Sequence, residues 1–265
     1  MRVAMCVVVL WGAPLAAGEK PEPLAALDVK AKGITALPPA HADVFPTAAV
    51  FASADELAKS QRFDKVAVEK LKEIVNFEKA RLVVFTWKGS EANALGGFLV
   101  VVKKKRLAMF RFRWDLGRSG DGEQVHTKLF VVPRDVELLP SPLGAINADK
   151  FDVREISTEG LKITLPASSR LAAPEVVTSA EALAKSRTLK DAADSLAKQV
   201  NFEEENVVFV SWRGSSADRL SPRVTLTDDA LTFSCRVDPG LRADLYTHGR
   251  VFVVPKTIQV DGAGK

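Results

Sequence analysis

Serine, aspartate and histidine recur in this chain as a spaced set. One set is Ser90, Asp115 and His126, and the other is Ser215, Asp238 and His248. A hydroxyl, a carboxylate and an imidazole are the parts from which acyl-transfer enzymes assemble a nucleophile, an orienting acid and a general base. Neither serine stands in the G-x-S-x-G turn that exposes a nucleophile, and no oxyanion loop is evident. The plainer reading makes Gly-Ser the start of a turn, the aspartate a cap on the next one and the histidine the first residue of a return strand. Metal ligation is not indicated, because each set has one histidine, with no H-x-x-x-H pair and no cysteine cluster. The stretch WKGSEANALGG has glycines but lacks the strand-to-helix order of a phosphate-binding loop. No cofactor is therefore expected.

Both sets belong to a sentence written twice. NFEKARLVVFTWKGS begins at Asn76 and NFEEENVVFVSWRGS at Asn201, with seven of fifteen positions identical. The apolar runs LVVFTW and VVFVSW read as strands buried on both faces. Each ends in a tryptophan followed by a base, Trp87-Lys88 and Trp212-Arg213. An exposed tryptophan beside a cation would stack on a sugar or anchor a protein partner. A buried one would close the core. The residues singled out as a binding set are Trp87, Lys88, Ser90, His126, Trp212, Arg213, Ser215 and His248.

The repeat extends beyond this centre. SADELAKS from Ser53 matches SAEALAKS from Ser179, and KLFVVPRDVEL from Lys128 matches RVFVVPKTIQV from Arg250. Further back, LDVKAKGIT from Leu27 pairs with FDVREISTEGLKIT from Phe151, and on the downstream strand Arg113 and Asp115 align with Arg236 and Asp238. The expected division is a signal peptide over 1–18, a linker over 19–26, a first repeat over 27–137, a linker over 138–150, a second repeat over 151–261 and a tail over 262–265. Ser53 and Glu56 form a capping box that starts a helix. Val68, Leu71, Ile74 and Val75, or Ala193, Leu196 and Val200, give the apolar face of a second one. Alternating strands such as LAMFRFRWD and ALTFSCRVD follow. The expected fold class is α+β: two tandem modules, each a helix pair on a mainly antiparallel sheet, with a pseudo-twofold relation left open.

MRVAMCVVVLWGAPLAAGEK has one early basic residue, an apolar run and small residues before a cut, the pattern of a secretory signal. An exported location, periplasmic or extracellular, is expected, with no membrane association after cleavage. Cys6 falls within that segment, which leaves Cys235 alone, and stability must come from a core and not from an internal disulfide. Cys235 shares a strand face with Leu231, Phe233 and Val237 and reads as a small buried apolar residue. The whole chain carries 37 basic and 33 acidic side chains, an ordinary solvated balance and no footprint for nucleic acid. The basic run Lys103 to Arg106 reads as a solvated turn.

A hydrophobic helix leading into V-N-F-E, a strand, a Gly-containing bend, two further strands and a return strand ending in V-V-P-[KR] resemble uncharacterised secreted bacterial proteins of planctomycete type. More distantly, the pattern is similar to the C-terminal domain of PrcB-like protease-stabilising proteins. That resemblance implies a domain that binds and stabilises an exported protease. Gly89 with Gly96-Gly97 fits the glycine pattern of the bend in the first repeat, while the second has Gly214 followed by SSADRLSP. The reading is an exported non-enzymatic protein that binds or stabilises a protein or cell-envelope component. The alternatives are a hydrolase using the repeated Ser/Asp/His set and a cell-wall or polysaccharide binder using the tryptophans.

Overall fold

Valine- and phenylalanine-rich runs form the four longest strands of the sandwich cores: β4 (Ala80–Gly89), β7 (Gln124–Pro133), β12 (Glu205–Gly214) and β15 (Tyr246–Pro255). The computed structural model describes residues 20–28, 33–34, 36, 43–90, 93–113, 124–139, 145–166, 171–227, 230–242 and 244–262. The expected signal peptide and Asp115 lie outside the described residues. β4 pairs antiparallel with β7 over ten positions, from Ala80↔Pro133 to Gly89↔Gln124, and β12 pairs with β15 in the same way. The short edge strands β2 (Ala26–Leu27) and β3 (Thr47–Phe51) complete one sheet in the order β2-β7-β4-β3. In the second repeat β10 (Arg154–Ile156) and β11 (Glu175–Val177) complete its counterpart, β10-β15-β12-β11.

Each repeat has a second sheet. In the first repeat it contains β1 (Glu22–Leu24), β5 (Ala94–Val102), β6 (Lys105–Arg113) and β8 (Glu137–Leu139), in the order β1-β5-β6-β8. In the second it contains β9 (Ala145–Asn147), β13 (Arg219–Leu226), β14 (Leu231–Asp238) and β16 (Ile258–Val260), in the order β16-β14-β13-β9. The two halves thus share one eight-strand plan. In the tract EKPEPLAAL, expected to be a linker, Pro23 lies within edge strand β1. Pro23 sits opposite Phe98 on an edge, where its missing N–H leaves no gap in a central ladder.

The expected α+β class is overturned. Strands account for 49% of the structure and helices for 16%, arranged around four small sheets. The helices are short: α1 (Ala54–Lys59), α2 (Lys65–Ile74), α3 (Ala180–Ala184) and α4 (Ala193–Ala197). What was read as one sheet under a helix pair is two sheets face to face. The inner face of β4 and β7 meets the second sheet through Val83, Phe85, Trp87, Leu95, Ala108, Phe110 and Phe130. The helices add Leu57, Val68 and Leu71 to a separate cluster with Leu82, Val84 and Leu129 on the outer face. The caps follow their residues: Ser53 accepts from the Glu56 amide, and the Glu56 carboxylate accepts from Ala52 N–H at 2.7 Å.

Register corrects the sequence alignment in two places. Leu27 lies opposite Leu129 and Ile156 opposite Val251, so Leu27 corresponds to Ile156 and not to Phe151. A 3-10 turn over Ala148–Phe151 and the residues after it take up the difference. Ala94 pairs with Arg113, and Arg219 with Asp238, so Arg113 corresponds to Asp238 and not to Arg236.

One apolar cluster crosses the repeat boundary. Val100, Val102, Leu107 and Met109, on the outer face of β5 and β6, join Phe151, Val208, Phe252 and Ile258 of the second repeat. The basic run at the β5–β6 turn is exposed from Lys104 to Arg106, as expected, and two of its lysines also reach the second repeat. Lys103 donates to Glu205 at 2.8 Å, Lys105 to Asp152 at 2.5 Å, and Arg106 pairs with Asp135. Glu205 is buried and also accepts from Arg154 at 3.0 Å and from Asn201 N–H at 3.1 Å. Burial alone would raise its carboxyl, but Lys103, Asn201 and Arg154 outweigh it and hold the group below its ordinary value.

Candidate functional site

The repeated residues meet at one end of each sandwich. Trp87 and His126 are cross-strand partners, as are Trp212 and His248. Period-two alternation sends both members of a pair to the same sheet face. Their rings stack with centroids 5.2 Å apart and planes at 18° in the first repeat, and 4.7 Å and 14° in the second. Both tryptophans are only 4% exposed, so neither offers a ring face for stacking on a sugar. Lys88 and Arg213, one residue on, point outward and are exposed.

The histidines are committed to the backbone. His126 Nε2 lies 3.0 Å from the Gly89 carbonyl oxygen, and His248 Nε2 lies 2.9 Å from the Ser215 carbonyl oxygen. A carbonyl only accepts, so Nε2 carries the proton and donates in both copies. That nitrogen is then unable to act as base toward a serine hydroxyl. The Ser215 hydroxyl donates to Asp244 at 3.3 Å and accepts from Ala217 N–H at 3.2 Å. Asp238 instead accepts from Ser221 at 2.6 Å and pairs with Arg236. Ser215, Asp238 and His248 are brought to one end of the sandwich but are not wired as a triad. Among the described residues, no group of three or more His, Cys, Asp or Glu is placed to hold a metal ion.

The turn that follows each tryptophan is also duplicated. Asn93 N–H donates to the Ser90 carbonyl at 3.1 Å, and Asp218 N–H to the Ser215 carbonyl at 3.0 Å. Gly89 and Gly214 lie under side chains that fold back over them. A Cβ at Gly89 would stand 2.4 Å from Asn93 Nδ2, and one at Gly214 would stand 1.9 Å from Asp218 Oδ2. The WKGS and WRGS stretches therefore build a corner: a stacked ring pair, a glycine under a polar side chain, and a serine that closes the turn.

In the second repeat this corner carries a further loop. Asp218 Oδ1 accepts from Gly240 N–H at 2.7 Å. Asp244 accepts from the Ser215 hydroxyl and from both the hydroxyl and the amide of Ser216. The Ser216 hydroxyl, more than any other contact, holds the Asp244 carboxyl below its ordinary value. Around these anchors the stretch from Asp238 to the start of β15 exposes Leu241 fully, Leu245 at 59% and Tyr246 at 55%. Arg213, Arg219 and Arg242 are exposed at the same end. The corresponding loop of the first repeat, 114–123, lies outside the described residues.

Sequence reasoning missed Asp218, Asp244 and this apolar loop. Asn93 and Asp218 stand 125 residues apart, the same spacing as Trp87 and Trp212, and that constant offset was the available signal. Two leucines and the chain's single tyrosine in a Pro-Gly loop were the other. Compared with known proteins, the chain matches no family model, no curated protein and no solved structure.

Proposed function

We propose that this chain is an exported, non-enzymatic protein that binds another protein through the loop end of its second repeat. The observation that carries the proposal is the exposed trio Leu241, Leu245 and Tyr246, on and beside a loop tethered by Asp218 and Asp244, with Arg213, Arg219 and Arg242 exposed at the same end. Apolar side chains on a loop anchored at both ends form a surface whose ordering cost has been met before a partner arrives. Tyrosine and arginine are the residue types most often found at the energetic centre of protein interfaces. The arginines suit a partner with acidic side chains around an apolar pocket, and charge of this sign would set orientation and association rate.

The resemblance to protease-stabilising domains implies the same class of role, a folded surface offered to an exported protein. The signal-like leader supports an exported location. The hydrolase alternative lacks support from the geometry of the second repeat, where His248 Nε2 donates to a backbone carbonyl and the Ser215 hydroxyl faces Asp244.

The test is quantitative capture of envelope or culture-fluid proteins on immobilised mature chain. The triple variant Leu241→Ser, Leu245→Ser and Tyr246→Ser is expected to lose a specifically retained protein while keeping its melting temperature. Equal retention by both forms would remove this surface from the account.

A further inference from the structure

A seam opens between the two sheets of the second sandwich. It holds about 250 Å³, partly open to solvent, and is lined by Leu171, Pro174, Val210, Phe233, Cys235 and Val260. Its rim is closed by backbone hydrogen bonds, Ala172 N–H to the Ser211 carbonyl at 3.0 Å and Asp261 N–H to the Phe233 carbonyl at 2.8 Å. Those bonds use up main-chain polar groups at the mouth and leave an interior that is mostly hydrocarbon.

The duplicated register shows how the same place is filled in the first repeat. The offset of 125 residues that relates Trp87 to Trp212 relates Ala94↔Arg113 to Arg219↔Asp238 as well. It makes Phe85 the counterpart of Val210, and Phe110 the counterpart of Cys235. In the first repeat those two rings pack against each other with centroids 4.6 Å apart, and both are fully buried. In the second repeat the same two positions carry a valine and a cysteine, and Phe233, the counterpart of Ala108, lines one wall of the space.

We infer that this seam is a binding site for a small, neutral, ring-bearing molecule, which takes the place that the Phe85 and Phe110 rings occupy in the first repeat. Size agrees with that class. An apolar cavity of about 150 Å³ accepts benzene, and sites for drug-sized ligands start at about 300 Å³. One ring or two fused rings fit between those limits. Chemistry agrees too. Ser234 and Asp261 at the edge are the polar side chains in contact with the space, apart from the thiol of Cys235. Burial pushes that thiol up to about 12, so it remains a neutral wall and not a nucleophile. Leu171, 45% exposed, forms part of the rim.

Indole is a suitable probe: neutral, bicyclic and soluble. Titrated into the full chain, it is expected to cause saturable ring-current shifts in the methyl NMR signals of Leu171, Val210 and Val260. The paired change Val210→Phe with Cys235→Phe restores the ring-filled packing of the first repeat and is expected to weaken indole binding at least tenfold, with unchanged far-UV circular dichroism. Leu171→Trp, on the exposed rim, provides a second variant that does not disturb the core and is expected to block entry by a similar factor. The inference is overturned if millimolar indole leaves the three methyl signals unmoved. It is equally overturned if folded variants bind indole as the unaltered chain does.

Discussion

The indole of Trp212 lies on the imidazole of His248, its partner across the β12–β15 ladder, with 4.7 Å between ring centroids. Trp87 and His126 repeat the arrangement at 5.2 Å. A duplicated pair that stacks, and whose histidine donates to a backbone carbonyl, has its chemistry absorbed by the fold. Replacing His248 with Ala removes one ring contact worth about 0.5–1.5 kcal/mol and one hydrogen bond worth about 1 kcal/mol. The expected result is a melting temperature lower by roughly 3–10 °C, since 1 kcal/mol moves a chain of this size by about 2–4 °C. Thermal unfolding followed by circular dichroism measures it; an unchanged melt would contradict the structural role.

Glu205 should couple the repeats. Its carboxylate is buried and meets Lys103 from the first repeat and Arg154 from the second. Glu205→Gln removes the counter-charge of Lys103 and Arg154, both of which reach solvent, and is expected to cost about 1.5–3 kcal/mol, the scale of a hydrogen bond to a charged group. Its carboxyl is held below the ordinary value in the folded state. The stabilisation it gives is therefore complete above the unfolded-state value and lost as pH falls through the folded one. Denaturant titrations of the two forms should converge on acidification. A constant difference down to low pH would show that Glu205 is not the group responsible.

Asp244 orders the exposed loop by accepting from Ser215 and Ser216. It too titrates below its ordinary range when folded. The loop should hold its conformation above that range and loosen as pH falls through the lowered value. Asp244→Asn should loosen it at neutral pH and remove the acid transition. Amide hydrogen exchange across residues 239–246 reads both effects. Protection that is equal in the two forms would exclude the tether.

Gly240 passes against the backbone of Ala217, where an added Cβ would stand 2.5 Å from the carbonyl carbon and 2.7 Å from the oxygen. Main chain does not move aside as a flexible side-chain end does, so Gly240→Ala is expected to cost about 1–3 kcal/mol. It should also break the 2.7 Å bond from Gly240 to Asp218. Gly160, where a Cβ meets nothing within 4 Å but φ is +76°, is the comparison: there the cost of alanine is strain alone, about 1 kcal/mol. Melting temperatures of the two variants decide the order, and a larger loss at Gly160 would contradict it.

The duplication and the long strands were legible because ten-residue runs such as ARLVVFTWKG carry enough β-branched and aromatic letters to stand alone. The helix starts were legible because Ser53 and Ser179 cap locally, each accepting the amide three residues on. The second sheet was not. β1 and β9 are three residues long, and what makes them strands is pairing with β5 and β13 far along the chain, which no local pattern reports. The same limit shifted the alignment at Leu27 and at Arg113, where matching letters disagreed with hydrogen-bond register. At the candidate site Trp87 and Trp212 were legible as residues the module keeps. Their burial and their histidine partners depend on strand pairing. The loop from Pro239 to Tyr246 was passed over because its apolar residues follow no period.

The corner built on Trp212 and His248 holds the fold together, and the loop bearing Leu241 is the surface proposed to bind. The most direct measurement compares two variants for both properties: His248→Ala, and the triple Leu241→Ser, Leu245→Ser, Tyr246→Ser. Melting temperature and partner capture below that melt are recorded for each. His248→Ala is expected to melt several degrees lower and still capture its partner, and the triple variant to melt as the unaltered chain does and capture nothing. The opposite pairing, with capture lost on removing His248 and kept without the three apolar side chains, would contradict it.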